Sequence, residues 1–135
     1  MAKRRVVITG LGIISPVGND VESFWQALLA GKSGIGPITT FDSSAFDSQI
    51  AGEIKDFDPL KYMDSKEARR MEKFAQYAVA ASRQAVSDAR LDLSKENIER
   101  AGVLIGCGIG SLRIVEQEYK TYLEKGPSRI TPFMV

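Results

Sequence analysis

The chain has 135 residues, a length that supports one compact core, and 18 basic against 17 acidic side chains give a net charge of +1. This near-neutral balance argues against a dedicated nucleic-acid binder. One cysteine excludes an internal disulfide, and the absence of histidine removes the commonest general base, zinc ligand and pH switch.

The N-terminal part of the chain predicts a strand followed by a helix. The β-branched run at 5–9 (RVVIT) is typical of a buried strand, and the glycines that follow argue against a secretory signal. A helix is predicted to begin near Asn19 or Asp20, with Asn19 as its cap and Glu22 as capping-box partner, and to stop at Gly31.

The remaining elements alternate between helices and strands. Residues 31–48 indicate a loop and residues 50–54 a short edge strand, whereas the spacing over 65–90 predicts one long helix. Residues 101–107 (AGVLIGC) predict a second buried strand, and 112–125 a further helix that Gly-Pro ends. This order predicts an α/β fold with helices layered on a mainly parallel sheet. No uncharged apolar run reaches the roughly 18 residues of a membrane span, so no membrane partner is expected.

The long predicted helix has an apolar face and a basic face. Its apolar side chains recur at steps of three and four, as a buried stripe requires. Lys66, Arg69, Arg70 and Lys73 lie roughly opposite that stripe, near the helix start, where the helix dipole disfavours positive charge. This clustering favours an anionic partner over a merely solvated face. Because no aromatic residue is interleaved for base stacking, an acidic protein surface fits better than nucleic acid.

Two glycine motifs resemble nucleotide-binding loops but lack essential parts. Residues 10–12 (GLG) follow a strand, but Ser15 stands where the third glycine of a dinucleotide fingerprint belongs. Residues 31–33 (GKS) imitate the end of a phosphate-binding loop, but Gln26 occupies the position of its first glycine, within a predicted helix. No nucleotide cofactor is therefore expected, and the absence of histidine together with the single cysteine argues against a metal ion.

Cys107 is the one thiol, and it lies within a glycine-rich stretch just before a predicted helix. A helix N-terminus lowers the pKa of a thiol, so a nucleophilic role is conceivable. No histidine is present to act as its base, and free cysteine is a common small buried residue. The structural interpretation of Cys107 is therefore favoured.

Six stretches of the chain carry the clearest family signal when taken together: RRVVITGLGIISPVGND (4–20), FWQALLAGKSGIGPIT (24–39), EIKDFDP (53–59), KEARRMEKFAQYAVAAS (66–82), GVLIGCGIGS (102–111) and GPSRITPF (126–133). In series, they resemble the N-terminal part of a β-ketoacyl-acyl carrier protein synthase of type II. The chain also stops on an apolar run, which favours a truncated chain, so residues 1–135 are predicted to be the N-terminal part of one condensing-enzyme domain.

This resemblance implies a thiolase-like fold and a cytoplasmic homodimer that extends fatty acyl chains. Malonyl-acyl carrier protein and acyl-acyl carrier protein are condensed to 3-oxoacyl-acyl carrier protein and carbon dioxide. In the family a cysteine in a Thr-Ala-Cys-like turn is the nucleophile and two histidines assist decarboxylation. None of these three matches a residue of this chain, so the resemblance places no catalytic residue here and predicts that the chain alone is inactive.

Binding residues can nevertheless be carried over from the family. Lys66, Arg69 and Arg70 match the basic patch that docks the acidic acyl carrier protein, and Arg129 matches a further basic position. The neighbour of Arg129, often basic in the family, is Ser128 here, so that part of the patch is expected to be weaker.

The resemblance also implies an acyl pocket. Ile109 matches a residue that lines it, while Phe133 and Met134 fall where the family builds the pocket wall near the dimer interface. Cys107 stands where family members usually have a small hydroxyl residue and is therefore not expected to be the nucleophile.

Two alternatives remain open from the sequence. One is a polyketide-type condensing enzyme, including the chain-length partner that lacks the nucleophile. The other is a non-catalytic module that binds the carrier through the basic helix only. A cysteine and two histidines further along the reading frame would distinguish these possibilities.

Overall fold

A computed structural model describes residues 5–131 of the chain. Over this range the polypeptide forms helices joined by long irregular segments, with one small sheet. The α-helices and strands, in chain order, are α1 (Val21–Leu29), β1 (Ile35–Pro37), β2 (Ile50–Gly52), α2 (Ser65–Arg70), α3 (Lys73–Asp88) and α4 (Leu112–Lys125). Short 3-10 turns lie at Pro59–Lys61, Ile98–Arg100 and Pro127–Arg129.

The sheet consists of β1 and β2, which pair antiparallel with Ile35 opposite Gly52 and Pro37 opposite Ile50. The predicted short strand within 50–54 is confirmed by β2, whereas the prediction of a loop throughout 31–48 is wrong at β1. Glycine and proline are depleted in strands, so the sequence of β1 gives no strand signal, and its pairing with β2 creates the strand.

The two apolar runs predicted as buried strands, 5–9 and 101–107, form no strand in the described part of the chain. Their side chains are exposed, with Val6 at 92% and Leu104 at 99% of full accessibility. β-branched composition favours a strand only when a neighbouring strand completes the hydrogen-bond ladder. Neither run has such a neighbour between residues 5 and 131, so both strand predictions are wrong for this structure. The one sheet in this range is antiparallel.

The helix ends follow local capping rules. Asp20, not Asn19, caps α1, because its carboxylate accepts the Ser23 N–H at 2.8 Å, so the predicted Asn19–Glu22 capping box is wrong. The left-handed backbone of Gly31, at φ +62°, confirms the predicted stop of α1. The predicted bounds of α4 are confirmed, with Gly126 at φ +81° as its C-cap.

The long helix predicted over 65–90 is two helices. Met71 and Glu72 adopt extended backbone, with ψ of 136° and 161°, and separate α2 from α3. The side-chain amide of Gln76 donates to the carbonyls of Ala68 at 2.7 Å and Met71 at 3.0 Å, which satisfies carbonyls that the break leaves open. The apolar spacing continues across the break, so hydrophobic periodicity could not reveal it.

Residues 10–12 approach the backbone of α3 closely. A Cβ atom built on Gly12 would lie 1.9 Å from the Ala81 carbonyl oxygen, so only glycine permits this approach. Across the described residues the buried hydrophobic side chains are few: Ala27, Met63 and Ala80. None of the helices in this range combines the length and the apolar character needed to cross a bilayer.

Candidate functional site

Helix α2 carries the predicted docking cations and is held at its start by a capping box. The Asp64 carboxylate accepts the backbone N–H groups of Lys66 and Glu67, both at 2.8 Å. The Glu67 side chain in turn accepts the Asp64 N–H at 3.4 Å. These reciprocal bonds define the first turn of a helix that is only six residues long.

Lys66, Arg69 and Arg70 are all exposed on α2, so the structure brings the three predicted docking residues together. The break after α2 changes their electrostatic setting, because Arg69 and Arg70 lie in the last turn of a short helix. There the helix dipole favours positive charge, so the argument that these arginines lie at the unfavourable end of a long helix is wrong. The case for an anionic partner therefore rests on their exposure and proximity.

The junction between α2 and α3 is connected to the start of α4 through Glu72. One carboxylate oxygen accepts the Ser111 hydroxyl at 2.9 Å, and the other accepts the Arg113 guanidinium at 2.5 Å. The Ser111 hydroxyl also accepts the Ile114 N–H at 3.3 Å as the N-cap of α4. Two helix N-termini are thus fixed to each other by one carboxylate.

A cleft of about 400 Å³ lies between this junction and the start of α4. The α2–α3 side contributes the predicted docking residue Arg70, and the α4 side contributes the predicted acyl-pocket residue Ile109. Phe74, Ala75, Ile114 and Val115 make much of the lining apolar. A cation beside an apolar cleft suits a ligand with an anionic group and a hydrocarbon chain.

Arg129 lies elsewhere, on the 3-10 turn Pro127–Arg129, which packs against α4. It borders a hollow with Thr121 and Lys125, so a second basic site is formed at the end of α4. Phe133 and Met134 lie outside the described residues.

Cys107 is exposed, and its sulfur accepts the Gly110 N–H at 3.1 Å. The expectation of a buried structural cysteine at a strand end is therefore wrong for the described structure. No group of three or more histidine, cysteine, aspartate or glutamate side chains within residues 5–131 is arranged to hold a metal ion.

Three residues at the site were not predicted from the sequence: Glu72, Gln76 and Ser111. Ser111 carried a usable signal, because serine directly before a predicted helix is a preferred N-cap. Glu72 and Ser111 are 39 positions apart, and no local pattern indicates a contact at that separation.

Comparison with known proteins identifies the family of this chain. Residues 3–135 match the N-terminal domain of β-ketoacyl synthases. The chain belongs to the β-ketoacyl synthase family. It is 50% identical over 135 residues to 3-oxoacyl-[acyl-carrier-protein] synthase 2 of Synechocystis sp., covering all of this chain and 32% of that relative.

Solved structures of β-ketoacyl synthases share the fold. The ishigamide ketosynthase/chain length factor matches with a TM-score of 0.76 and 35% identity, over 98% of this chain and 33% of that one. A type II PKS ketosynthase solved with its acyl-carrier protein matches with a TM-score of 0.76 and 27% identity, over 97% and 34%. The chain therefore has the N-terminal part of a thiolase-like α/β fold. It spans about a third of the length of the relatives it matches.

Proposed function

We propose that this chain is the N-terminal part of an elongating condensing enzyme of fatty acid biosynthesis. The complete enzyme joins malonyl-acyl carrier protein to acyl-acyl carrier protein and releases 3-oxoacyl-acyl carrier protein and carbon dioxide. The observation that carries the proposal is the cleft, where the exposed Arg70 of α2 adjoins an apolar wall that includes Ile109. Identity of 50% to a 3-oxoacyl-[acyl-carrier-protein] synthase supports the same reaction.

The role of this chain is binding. Lys66, Arg69 and Arg70 dock the acidic carrier protein by charge, with Arg129 as a secondary contact near the end of α4. Opposite-charge surfaces steer encounter and fix orientation, which suits a carrier that delivers acyl groups repeatedly. Ile109, with Phe133 and Met134, contributes to the acyl pocket.

The covalent chemistry belongs to residues outside this chain. An acyl group passes from the carrier thioester to a cysteine thiolate, and the carrier thiol leaves. Loss of carbon dioxide from malonyl-carrier supplies the carbanion that attacks the enzyme thioester, and the cysteine thiolate is expelled. The complete enzyme is proposed to act as a cytoplasmic homodimer without a cofactor.

A polyketide-type role is the second candidate, because two structural neighbours are a ketosynthase/chain length factor and a type II PKS ketosynthase. Their identities to this chain, 35% and 27%, are lower than the 50% to the Synechocystis protein, which favours the fatty acid role. A nucleophilic cysteine in the complete reading frame separates an active enzyme from a chain-length partner or a carrier-binding module.

The docking role is tested by reversing charge at Arg69 and Arg70 in the complete protein. Arg69→Glu/Arg70→Glu is expected to raise the apparent KM for acyl-carrier about tenfold or more, through loss of charge complementarity. Turnover of a small acyl thioester without carrier should change little. Wild-type carrier binding should also weaken with added salt, because exposed charges are screened beyond about 8 Å at 0.15 M.

Lys32→Glu/Lys55→Glu is the matched control, because it reverses two exposed charges that are not part of α2. Equal loss with both substrates would show that α2 serves structure and not docking. No loss with either substrate would place the carrier site elsewhere.

The 135-residue chain alone should release no labelled carbon dioxide from malonyl-carrier. Release above the blank would contradict the assignment of the chemistry to residues outside this chain.

A further inference from the structure

The carboxylate of Glu72 is placed unusually for a residue at a helix start. Glu72 is the N-cap of α3, where a side chain normally accepts an N–H of its own helix, yet it makes no such bond. Both of its oxygens instead bind the start of α4, through Ser111 and Arg113. The Glu72 side chain is only 16% exposed, whereas that of Arg113 is 74% exposed, so the carboxylate is the inner member of the pair.

This contact joins the two sides of the cleft. Glu72 follows Arg70 by two residues, Ser111 follows Ile109 by two, and all four line the same cleft. Ile109 itself is 77% exposed, so little packing fixes its side chain. The position of Ile109 relative to α2 therefore depends strongly on the bonds that hold Ser111.

We propose that Glu72 is a positioning residue that sets the place of Ile109 against the docking helix α2 and thereby influences which acyl chains the enzyme accepts. This inference rests on the proposed function. Hydrogen bonds to an ionised carboxylate are stronger than neutral ones, so two of them accepted by one shielded side chain can hold a short turn. Without the bonds to Glu72, the turn at 109–111 is free to shift, and the side chain of Ile109 shifts with it.

Amide hydrogen exchange tests the structural half of this inference in the complete protein. Glu72→Ala is expected to speed exchange at residues 109–114 at least about tenfold, because local opening is restrained by few other contacts. Glu116→Ala is the matched control, since Glu116 is an exposed carboxylate on α4 that does not line the cleft. In the Glu116→Ala variant, the amide exchange rates at residues 109–114 should equal those of the wild type.

Acyl selectivity tests the functional half. The readout is the ratio of kcat/KM for a long acyl-carrier to that for a short one, which a general loss of folded enzyme does not change. Glu72→Ala should move this ratio about tenfold, a scale that one methylene reaches in a specific pocket. Glu72→Gln keeps an acceptor for the Ser111 hydroxyl but loses the charge, so it should restore the ratio only in part. Ser111→Ala should shift the ratio like Glu72→Ala, and the double variant should add little, because both act through one contact.

The outcomes separate the two proposals. If the wild type is active but Glu72→Ala leaves the ratio of kcat/KM for long and short acyl-carrier unchanged, the inference about Glu72 is wrong and the proposed function still stands. Unchanged exchange at 109–114 contradicts it equally. A complete wild-type protein that condenses no acyl-carrier contradicts the proposed function, and the inference falls with it.

Discussion

Residues 10–18 and residues 102–110 are both glycine-rich apolar segments that follow or contain a predicted strand, but only the first packs against a helix. Gly10 and Gly12 lie so close to α3 that a Cβ atom has no space, whereas Gly106 and Gly108 have nothing within 4 Å of that position. The first segment is also bonded to α3, because Leu11 N–H donates to Asp88 at 2.8 Å. Segments of similar glycine content thus differ in packing: the glycines at 10 and 12 allow close contact with α3, whereas those at 106 and 108 make no close contact.

The largest expected effect comes from adding one methyl group to the packed segment. Gly12→Ala should lower the free energy of unfolding by about 3 kcal/mol or more, because the new Cβ overlaps the Ala81 carbonyl and overpacking strains the backbone. Gly106→Ala is the matched control and should change stability by less than about 1 kcal/mol. Urea unfolding of this chain measures both, and equal effects would contradict the contrast between the segments.

A smaller effect is expected when the polar connection of the first segment is removed. The side chain of Gln84 accepts the Ile13 N–H at 3.0 Å and donates to the Asn19 carbonyl at 2.7 Å and the Tyr62 hydroxyl at 2.9 Å. Gln84→Ala should cost about 2 kcal/mol, because partly buried partners are left unsatisfied. Gln117→Ala, an exposed position on α4, should leave the urea midpoint within experimental error. A Gln84 variant as stable as this control would show that packing alone holds residues 10–18.

Acid should loosen the hairpin that covers the first segment. Hydrogen bonds from the hydroxyl and N–H of Thr39, with those of Thr40, lower the pKa of Glu53 from 4.5 to about 2. The β1–β2 hairpin lies against Pro16, since a Cβ on Gly52 would lie 3.1 Å from that ring. Because the folded pKa is below the unfolded one, this stabilisation is complete above about pH 4.5 and is lost as pH falls towards 2.

The titration of Glu53 can be followed by NMR, and the urea midpoint can be measured from pH 5 down to about 2. Glu53→Gln should reduce the pH dependence of stability in this range, and Thr39→Ala should raise the pKa of Glu53 towards its ordinary value. A carboxylate that titrates near 4.5 in the wild type would contradict the hydrogen-bonded geometry at Thr39 and Thr40.

The smallest effect is expected in the open segment, at Cys107. Cys107→Ser should change stability by no more than about 0.5 kcal/mol, because the side chain is exposed and its one contact is a weak N–H···S bond. Turnover of the complete enzyme should be largely retained, since serine is a small hydroxyl residue of the type usual in the family. A loss of about a thousandfold or more, with folding intact, would instead identify Cys107 as a nucleophile.

Local sequence rules determined the elements whose signals lie within a few residues. The bounds of α4 follow from Ser111 as N-cap and Gly126 as C-cap, and Gly31 ends α1 in the same way. The exposed cations Lys66, Arg69 and Arg70 were also identifiable, because basic residues spaced three and four positions apart lie within one turn of the same helix, α2. These features need no distant partner, so the sequence is sufficient for them.

Only the tertiary structure decided features that depend on residues far apart in the chain. The break between α2 and α3 is stabilised partly by Glu72, whose partner Ser111 is 39 positions away. The runs at 5–9 and 101–107 have strand composition but lack a ladder partner among residues 5–131, so composition alone did not make them strands. The contact of Gly12 with α3 likewise depends on which helix lies above it. Pairing and close approach are properties of two segments together, and a pattern in one segment does not specify the other.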